Sequence, residues 1–225
     1  MSTQRAGDER RLVIFDCDGV LVDSETISNR VLAEMLAAEG LAITVAQARR
    51  EFQGLLLSDV LARAQHKLGR PLGEDWLASY ERVRATAFRR ELKPVAGAAE
   101  SLQRIQAAGL DVCVASQGKL SKTALSLSLT ALDRYFPESA RFSAHAVARG
   151  KPAPDLFLHA ASTLGAAPSA CVVLEDTPSG VSAAVAAGMH AIGYAADSDE
   201  RALRAAGATT ILRSLHALPR ALGLR

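Results

Sequence analysis

The sequence predicts an α/β fold, a Rossmann-like parallel sheet core with an inserted helical cap. Three observations predict it. Short apolar runs, LVIF at 12–15, LDVCVA at 110–115 and CVVL at 171–174, are bounded by polar residues and read as strands buried on both faces. From residue 94 onward such runs alternate with single helix-length segments, the signature of parallel β-α-β units with right-handed crossovers. Residues 25–91, in contrast, carry helical periodicity throughout and no convincing strand.

The elements follow in order. Residues 1–10 read as a disordered polar leader, and 12–15 as the first strand. Ile27, Val31, Leu32, Met35 and Leu36 share one helical face, stopped by Gly40. Thr44 and Gln47 form a capping-box pattern for a helix reaching Phe52, which Gln53-Gly54 breaks. Ser58 is placed to cap a third helix with Leu61, Ala64 and Leu68 inward, ended by Gly69-Arg70-Pro71. Trp76, Tyr80, Val83 and Ala87 make the stripe of a fourth. A helix with Leu102 and Ile105 ends at Gly109 and leads into the second strand. Ser121 starts a helix with Leu125, Leu129 and Leu132 on one face, and 141–146 is a weaker strand. A helix from Pro154 to Gly165 precedes the strand 171–174, and Thr177-Pro178 is an N-cap and N1 pair for a helix ending at Gly188. Strands at 190–194 and 209–212 flank a helix running to Gly207. The implied division is a core of residues 1–24 and 92–225 and a cap of residues 25–91.

A chain of 225 residues suits such a core of about 150 residues with an insert. A net charge of +2 is too mild to argue for nucleic acid or an anionic membrane surface as partner. No apolar run approaches the ~18 residues of a membrane span. The opening MSTQRAGDERR has no apolar core of a secretory signal, so a cytoplasmic location is expected. Cys17, Cys113 and Cys171 lack metal-ligand spacing and read as small buried side chains.

In an open α/β sheet, ligands bind at the carboxyl ends of the strands. Asp16 and Asp18 stand at the end of the first strand, with Gly19 allowing a sharp reversal. Two acids there suit a hard cation, although Asp-x-Asp-Gly is equally a polar turn. Ser116 follows the second strand, where its hydroxyl and the amides of Gln117 and Gly118 could take phosphate oxygens, or simply form a turn. Lys151 lies in the stiff loop RGKPAPD. Glu175 and Asp176 close the strand 171–174, where they would also favour the following helix N-terminus.

Taken together in this order, DCDGVLVDSE, ASQG, GKPAPD and VLEDTPSG resemble the four motifs of the haloacid dehalogenase superfamily, in the branch with a helical cap after the first strand. The resemblance spans residues 16–180 and is closest to sugar-phosphate phosphatases, including those acting on phosphogluconate-like substrates, and to β-phosphoglucomutase. It implies a Mg2+-dependent phosphatase for a small phosphorylated metabolite, a monomer or small homo-oligomer. Asp16 would be the nucleophile and Asp18 the acid-base, with Ser116 and Lys151 around the phosphoryl oxygens. The implied Mg2+ ligands are Asp16, the backbone carbonyl of Asp18, Asp176, and Glu175 directly or through water.

Ser24, Glu25 and Ser28 at the start of the cap, and Gln53 to Ser58 with Gly54 in its first inward loop, are the expected substrate readers; the Leu55-Leu56-Leu57 run fits cap core as well. Departures from the family patterns sort the alternatives. Dehalogenases of the superfamily lack the second acid. β-Phosphoglucomutase-like enzymes carry a histidine where Ser28 stands and an arginine where Leu57 stands, which disfavours a phosphomutase. Val20 stands where phosphatases often have threonine and resembles the mutases instead, and Gln117 departs from the asparagine or serine common in the second motif. A phospho-accepting receiver module, the non-enzyme alternative, has neither a helical insert nor a second acid. A nucleotide-sugar transferase would share only Asp-x-Asp and would need a larger acceptor domain.

Overall fold

A computed structural model of the chain describes residues 11–224; the expected leader at 1–10 lies outside them. Strands β1 (Leu12–Phe15), β2 (Asp111–Ser116), β3 (Arg141–Ser143), β4 (Cys171–Glu175), β5 (His190–Tyr194) and β6 (Thr210–Leu212) form one parallel sheet in the order β3-β2-β1-β4-β5-β6. β1 is central because its residues are buried on both faces, which only an interior strand permits. Val13 and Phe15 join one apolar cluster, with α5 (Ala98–Ala107) and the helical block. Leu12 and Ile14 join a second, with α7 (Asp155–Thr163) and α8 (Pro178–Ala186). The chain runs outward from β1 through β2 to β3, then returns so that β4 lies on the other side of β1. Asp16 thus comes beside the end of β4, with Phe15 in register with Leu174.

Between β1 and β2 lies a block of four helices, α1 (Glu25–Ala38), α2 (Val45–Phe52), α3 (Leu57–Leu68) and α4 (Trp76–Glu91), ahead of α5. Val31, Leu32, Leu36, Ala48, Phe52, Val60, Ala64, Trp76 and Tyr80 are its buried interior. The two connections to the sheet pair with each other: Asp23 N donates to Lys93 O at 3.0 Å and Val95 N to Leu21 O at 3.0 Å. Thr44 and Gln47 close the expected capping box on α2. Cys17, Cys113 and Cys171 are free and buried. Among the described residues no helix is long and apolar enough to cross a membrane.

Four local expectations are corrected. α3 begins at Leu57 behind a Leu56 N-cap with no side-chain bond, so Ser58 lies inside the helix. β3 stops at Ser143, whose hydroxyl accepts from His145 N at 3.2 Å and starts a 3-10 turn, Ala144–Ala146, in place of further strand. On α4, Val83 is 46% exposed and Phe88 is buried instead, a rotation that turns Arg84 inward between Tyr80 and Phe88. On α6 (Leu120–Leu129), Leu129 is exposed and Leu125 only half-buried, while Thr123, Ser126 and Leu127 face in; Leu132 is buried beyond the helix end. Leucines occupy several sides of α6, so periodicity does not choose a face, and the Lys122 contact with Asp18 does. The segment after β6, left unassigned from sequence, forms a 3-10 turn at Leu215–Ala217 and a short helix at Leu218–Ala221 against α5, with Ser101 Oγ donating to Leu215 O at 2.6 Å.

Phe136 is fully buried and meets Phe15 edge-on, ring centroids 6.1 Å apart. Phe136→Ala is expected to cost about 3–5 kcal/mol, read as a lowered urea midpoint at unchanged m-value.

Candidate active site

Sheet topology assembles the acids. Asp16 leaves β1 beside Glu175 and Asp176 at the end of β4, and the three carboxylates each offer an oxygen within 4.8 Å of the others. Two glycines make the crowding possible. Gly19 has φ +77°, and a Cβ there would fall onto the Asp176 carboxylate. A Cβ on Gly180 would overlap the Glu175 carboxylate.

Into this cluster reaches Lys151. Its Nζ lies 2.5 Å from Asp16 Oδ1 and 2.5 Å from Glu175 Oε1, and donates to Ala115 O at 3.0 Å. Glu175 Oε2 accepts from Thr177 N at 3.2 Å and Thr177 Oγ1 at 3.0 Å, while Asp176 Oδ1 is buried with no hydrogen-bond partner among the described residues. Burial pushes the Asp16 carboxyl up to about 7, with Glu175 and Asp18 adding to the shift against the opposing Lys151. Asp176 is raised as well, by burial and then by Asp16 and Glu175. Burial works against the charge of Lys151, but Asp16 and Glu175 outweigh it and raise its pKa. A cluster of mutually repelling buried carboxylates, one with an orphaned oxygen, fits a hard divalent cation.

Asp18 has different company. Its Oδ1 accepts from Ser24 Oγ and forms an ion pair with Lys122, and its Oδ2 lies 3.5 Å from Ser116 Oγ. Burial pushes this carboxyl up, yet Lys122 and the Ser24 hydroxyl together hold it below its ordinary value. Two carboxylates from one strand end therefore sit in opposite electrostatic settings.

The other expected site residues are distributed as follows. Ser116 is buried at the end of β2, its Oγ accepting from Gly118 N at 3.1 Å, so that amide is engaged locally. Gln117 lines the cavity while its side chain holds the loop of Lys151: its Oε1 accepts from Lys151 N at 2.9 Å, its Nε2 lies 3.4 Å from Lys151 O, and it packs where a Gly150 Cβ would stand. Ser24 is fully buried, so its hydroxyl serves Asp18 instead of reading a substrate. Glu25 lines the cavity with Oε2 accepting from Asn29 Nδ2 at 3.1 Å, and burial and then Asp18 push its carboxyl up to about 6. Gln53 Oε1 accepts from Arg49 Nε at 3.1 Å, and Gly54 with φ +76° brings the chain against Thr177 and Ser179. Ser28, Gln53, Gly54 and Leu57 all line the same cavity as Asp16, Asp18, Ser116, Lys151 and Asp176. It encloses about 120 Å³ between sheet and helical block.

Lys122, Arg84 and Asn29 are wall residues that the sequence reading passed over. A lysine or arginine on a helix reads as solvated. A signal existed for Lys122, which stands in the first turn of α6, where a cation opposes the helix dipole.

Residues 10–188 match the haloacid dehalogenase-like hydrolases. The chain belongs to that family. It is 31% identical to the 6-phosphogluconate phosphatase of Escherichia coli over 82% of each chain, and 31% identical to hexitol phosphatase A of the same organism over 83% of each. A haloacid dehalogenase-family hydrolase from Deinococcus radiodurans, solved with bound phosphate and sodium, superposes with a TM-score of 0.79 at 32% identity, covering 96% of either chain. As a member of this hydrolase family with phosphatases among its relatives, the chain is an enzyme of the phosphatase type.

Gln117 thus holds the backbone of Lys151. Gln117→Leu is expected to lower kcat/KM for an aryl phosphate about tenfold by loosening that ammonium, as measured by steady-state kinetics.

Proposed function

We propose that the chain is a Mg2+-dependent phosphatase for small sugar-phosphate monoesters, working through an aspartyl-phosphate on Asp16. The observation that carries this reading is the gathering of Asp16, Glu175 and Asp176 around Lys151 at the carboxyl ends of β1 and β4, with Asp18 beside them held by Ser24 and Lys122.

In the first step an Asp16 carboxylate oxygen attacks phosphorus and the bond from phosphorus to the leaving oxygen breaks, with Asp18 giving that oxygen its proton. In the second, Asp18 takes a proton from water as the water oxygen attacks the phosphoryl group, releasing inorganic phosphate and the Asp16 carboxylate. Lys151 and Ser116 hold equatorial oxygens of the phosphoryl group. Asp16, the Asp18 backbone carbonyl and Asp176 would hold the cation, the orphaned Asp176 Oδ1 favouring a direct bond, whereas Glu175 is engaged by Lys151 and Thr177. When bound, the cation supplies the positive charge that lets a carboxylate approach a phosphate dianion.

Residues 25–91 act as a cap on the core formed by the rest of the described chain, residues 11–24 and 92–224. The cavity of about 120 Å³ is smaller than the usual sites of roughly 300 Å³ and more, so the block must shift to admit a sugar phosphate. Ser28 and Leu57 on its wall supply neither the imidazole nor the guanidinium of the mutase pattern, which favours hydrolysis over phosphoryl return. The setting is taken to be cytoplasmic.

Asp16→Asn is expected to reduce phosphate release from a panel of phosphomonoesters by about 10³-fold or more; equal turnover by the variant would refute the nucleophile. Removing divalent ions with EDTA should abolish the wild-type activity and added Mg2+ restore it. Mg2+ should also raise the melting temperature of the wild type, with the response lost in Asp176→Asn.

A further inference from the structure

Four cations line the cavity: Arg84, Lys119, Lys122 and Lys151. Three have carboxylate partners, Lys151 with Asp16 and Glu175, Lys122 with Asp18, and Lys119 with Glu81 at 2.8 Å. Arg84 forms no ion pair among the described residues. It is nevertheless held in place. Its guanidinium carbon lies 4.9 Å from the Tyr80 ring centroid and 5.9 Å from that of Phe88, residues one helical turn to either side. Tyr80 is stacked on Trp76 at 6.0 Å and donates to Ser28 O at 3.3 Å, and Phe88 is 1% exposed, so the platform is rigid. Lys122 Nζ lies 5.7 Å from the same Phe88 ring, so two cations flank one aromatic side chain. Lys122, on the same Phe88 ring, pairs with Asp18, so Arg84 lies toward the carboxyl that the proposed mechanism assigns to the leaving group.

A guanidinium fixed on two rings at a cavity wall, with its forked donors unmatched by any carboxylate, is built for an anion. We propose that Arg84 binds an anionic group on the leaving portion of the substrate, remote from the transferred phosphoryl group. The enzyme's substrates are then phosphorylated sugar acids or bisphosphates, selected over neutral polyol phosphates. This rests on the phosphatase reading above and narrows it to doubly anionic substrates. Arg84 is half-buried, and a guanidinium partly removed from water is costly to leave without a partner, so a neutral analogue is rejected more strongly than lost attraction alone would require.

The test compares 6-phosphogluconate with glucitol 6-phosphate, which differ in a terminal carboxylate against a hydroxymethyl group, using the full chain with Mg2+. Wild type should favour the acid in kcat/KM by about tenfold to hundredfold. Arg84→Gln should erase most of that preference, chiefly through KM for the acid, and Arg84→Lys should recover part of it. A wild type that favours the polyol phosphate, or an Arg84→Gln variant that lowers both substrates by the same factor, would overturn the proposal. Fructose 1,6-bisphosphate against fructose 6-phosphate separates the two sources of charge: an Arg84-dependent preference there upholds the anion site with phosphate as its ligand. Should none of these compounds nor an aryl phosphate be hydrolysed, the phosphatase reading fails by itself. Calorimetric binding of 6-phosphogluconate then decides the subsite, weaker binding to Arg84→Gln upholding it and equal binding overturning it.

Discussion

The ammonium of Lys151 is the charge around which the site is built. Three carboxylates, Asp16, Glu175 and Asp176, are buried at the ends of two neighbouring strands, and their repulsion in a poorly solvated setting would be prohibitive uncompensated. Lys151 meets two of them at 2.5 Å and anchors itself on the carbonyl of Ala115 at the end of β2. Three strands thus share one cation. Its position depends in turn on Gln117, which grips the Lys151 backbone from the loop after β2, and on Gly150, where any side chain would displace that grip. The cluster still carries more negative than positive charge, and a divalent ion is the natural complement.

The same strand end delivers Asp18 into another environment. Asp16 is pushed up by burial among like charges, whereas Asp18 is kept low by Lys122 and Ser24. As they stand, these settings favour the protonated form at Asp16 and the ionised form at Asp18, the reverse of what a nucleophile and a general acid need. The proposed roles therefore depend on the charge of a divalent cation beside Asp16 to bring its carboxyl down. The sheet supplies one and the helices the other: Ser24 precedes α1, and Lys122 comes from α6. The helical block also contributes Arg84 and Tyr80 to the cavity wall, so the surface that meets the substrate exists only where block and sheet face each other.

Much of this was legible in the chain. Strands buried on both faces announce themselves as continuous apolar runs, and helices as stripes punctuated by Gly and Pro, so β1, β2, β4 and β5 and the helical block were read close to their observed limits. The acids, Ser116 and Lys151 were legible because each sits just past a strand end or in a stiff loop, where an open α/β sheet binds ligands. Less regular stretches were not. β3 ends early because the Ser143 hydroxyl competes for the backbone, and α6 carries leucines on several sides, so its buried face was ambiguous.

By itself, then, the order of residues determined the alternation of strands and helices, the insertion of a helical block after the first strand, and the set of acids at the carboxyl ends of the central strands. These follow from local periodicity and chain order, which one dimension can express. Only the tertiary structure decided what each polar side chain faces. Lys122 pairs with Asp18, Gln117 holds the Lys151 backbone from the cavity wall, Ser24 is sealed beneath Asp18, and Arg84 is rotated inward where Val83 was expected. A polar residue on a helix carries no local mark of whether water or a cavity lies opposite it. That distinction arises only when separated segments pack, because both the cavity and the charges within it belong to the packed whole.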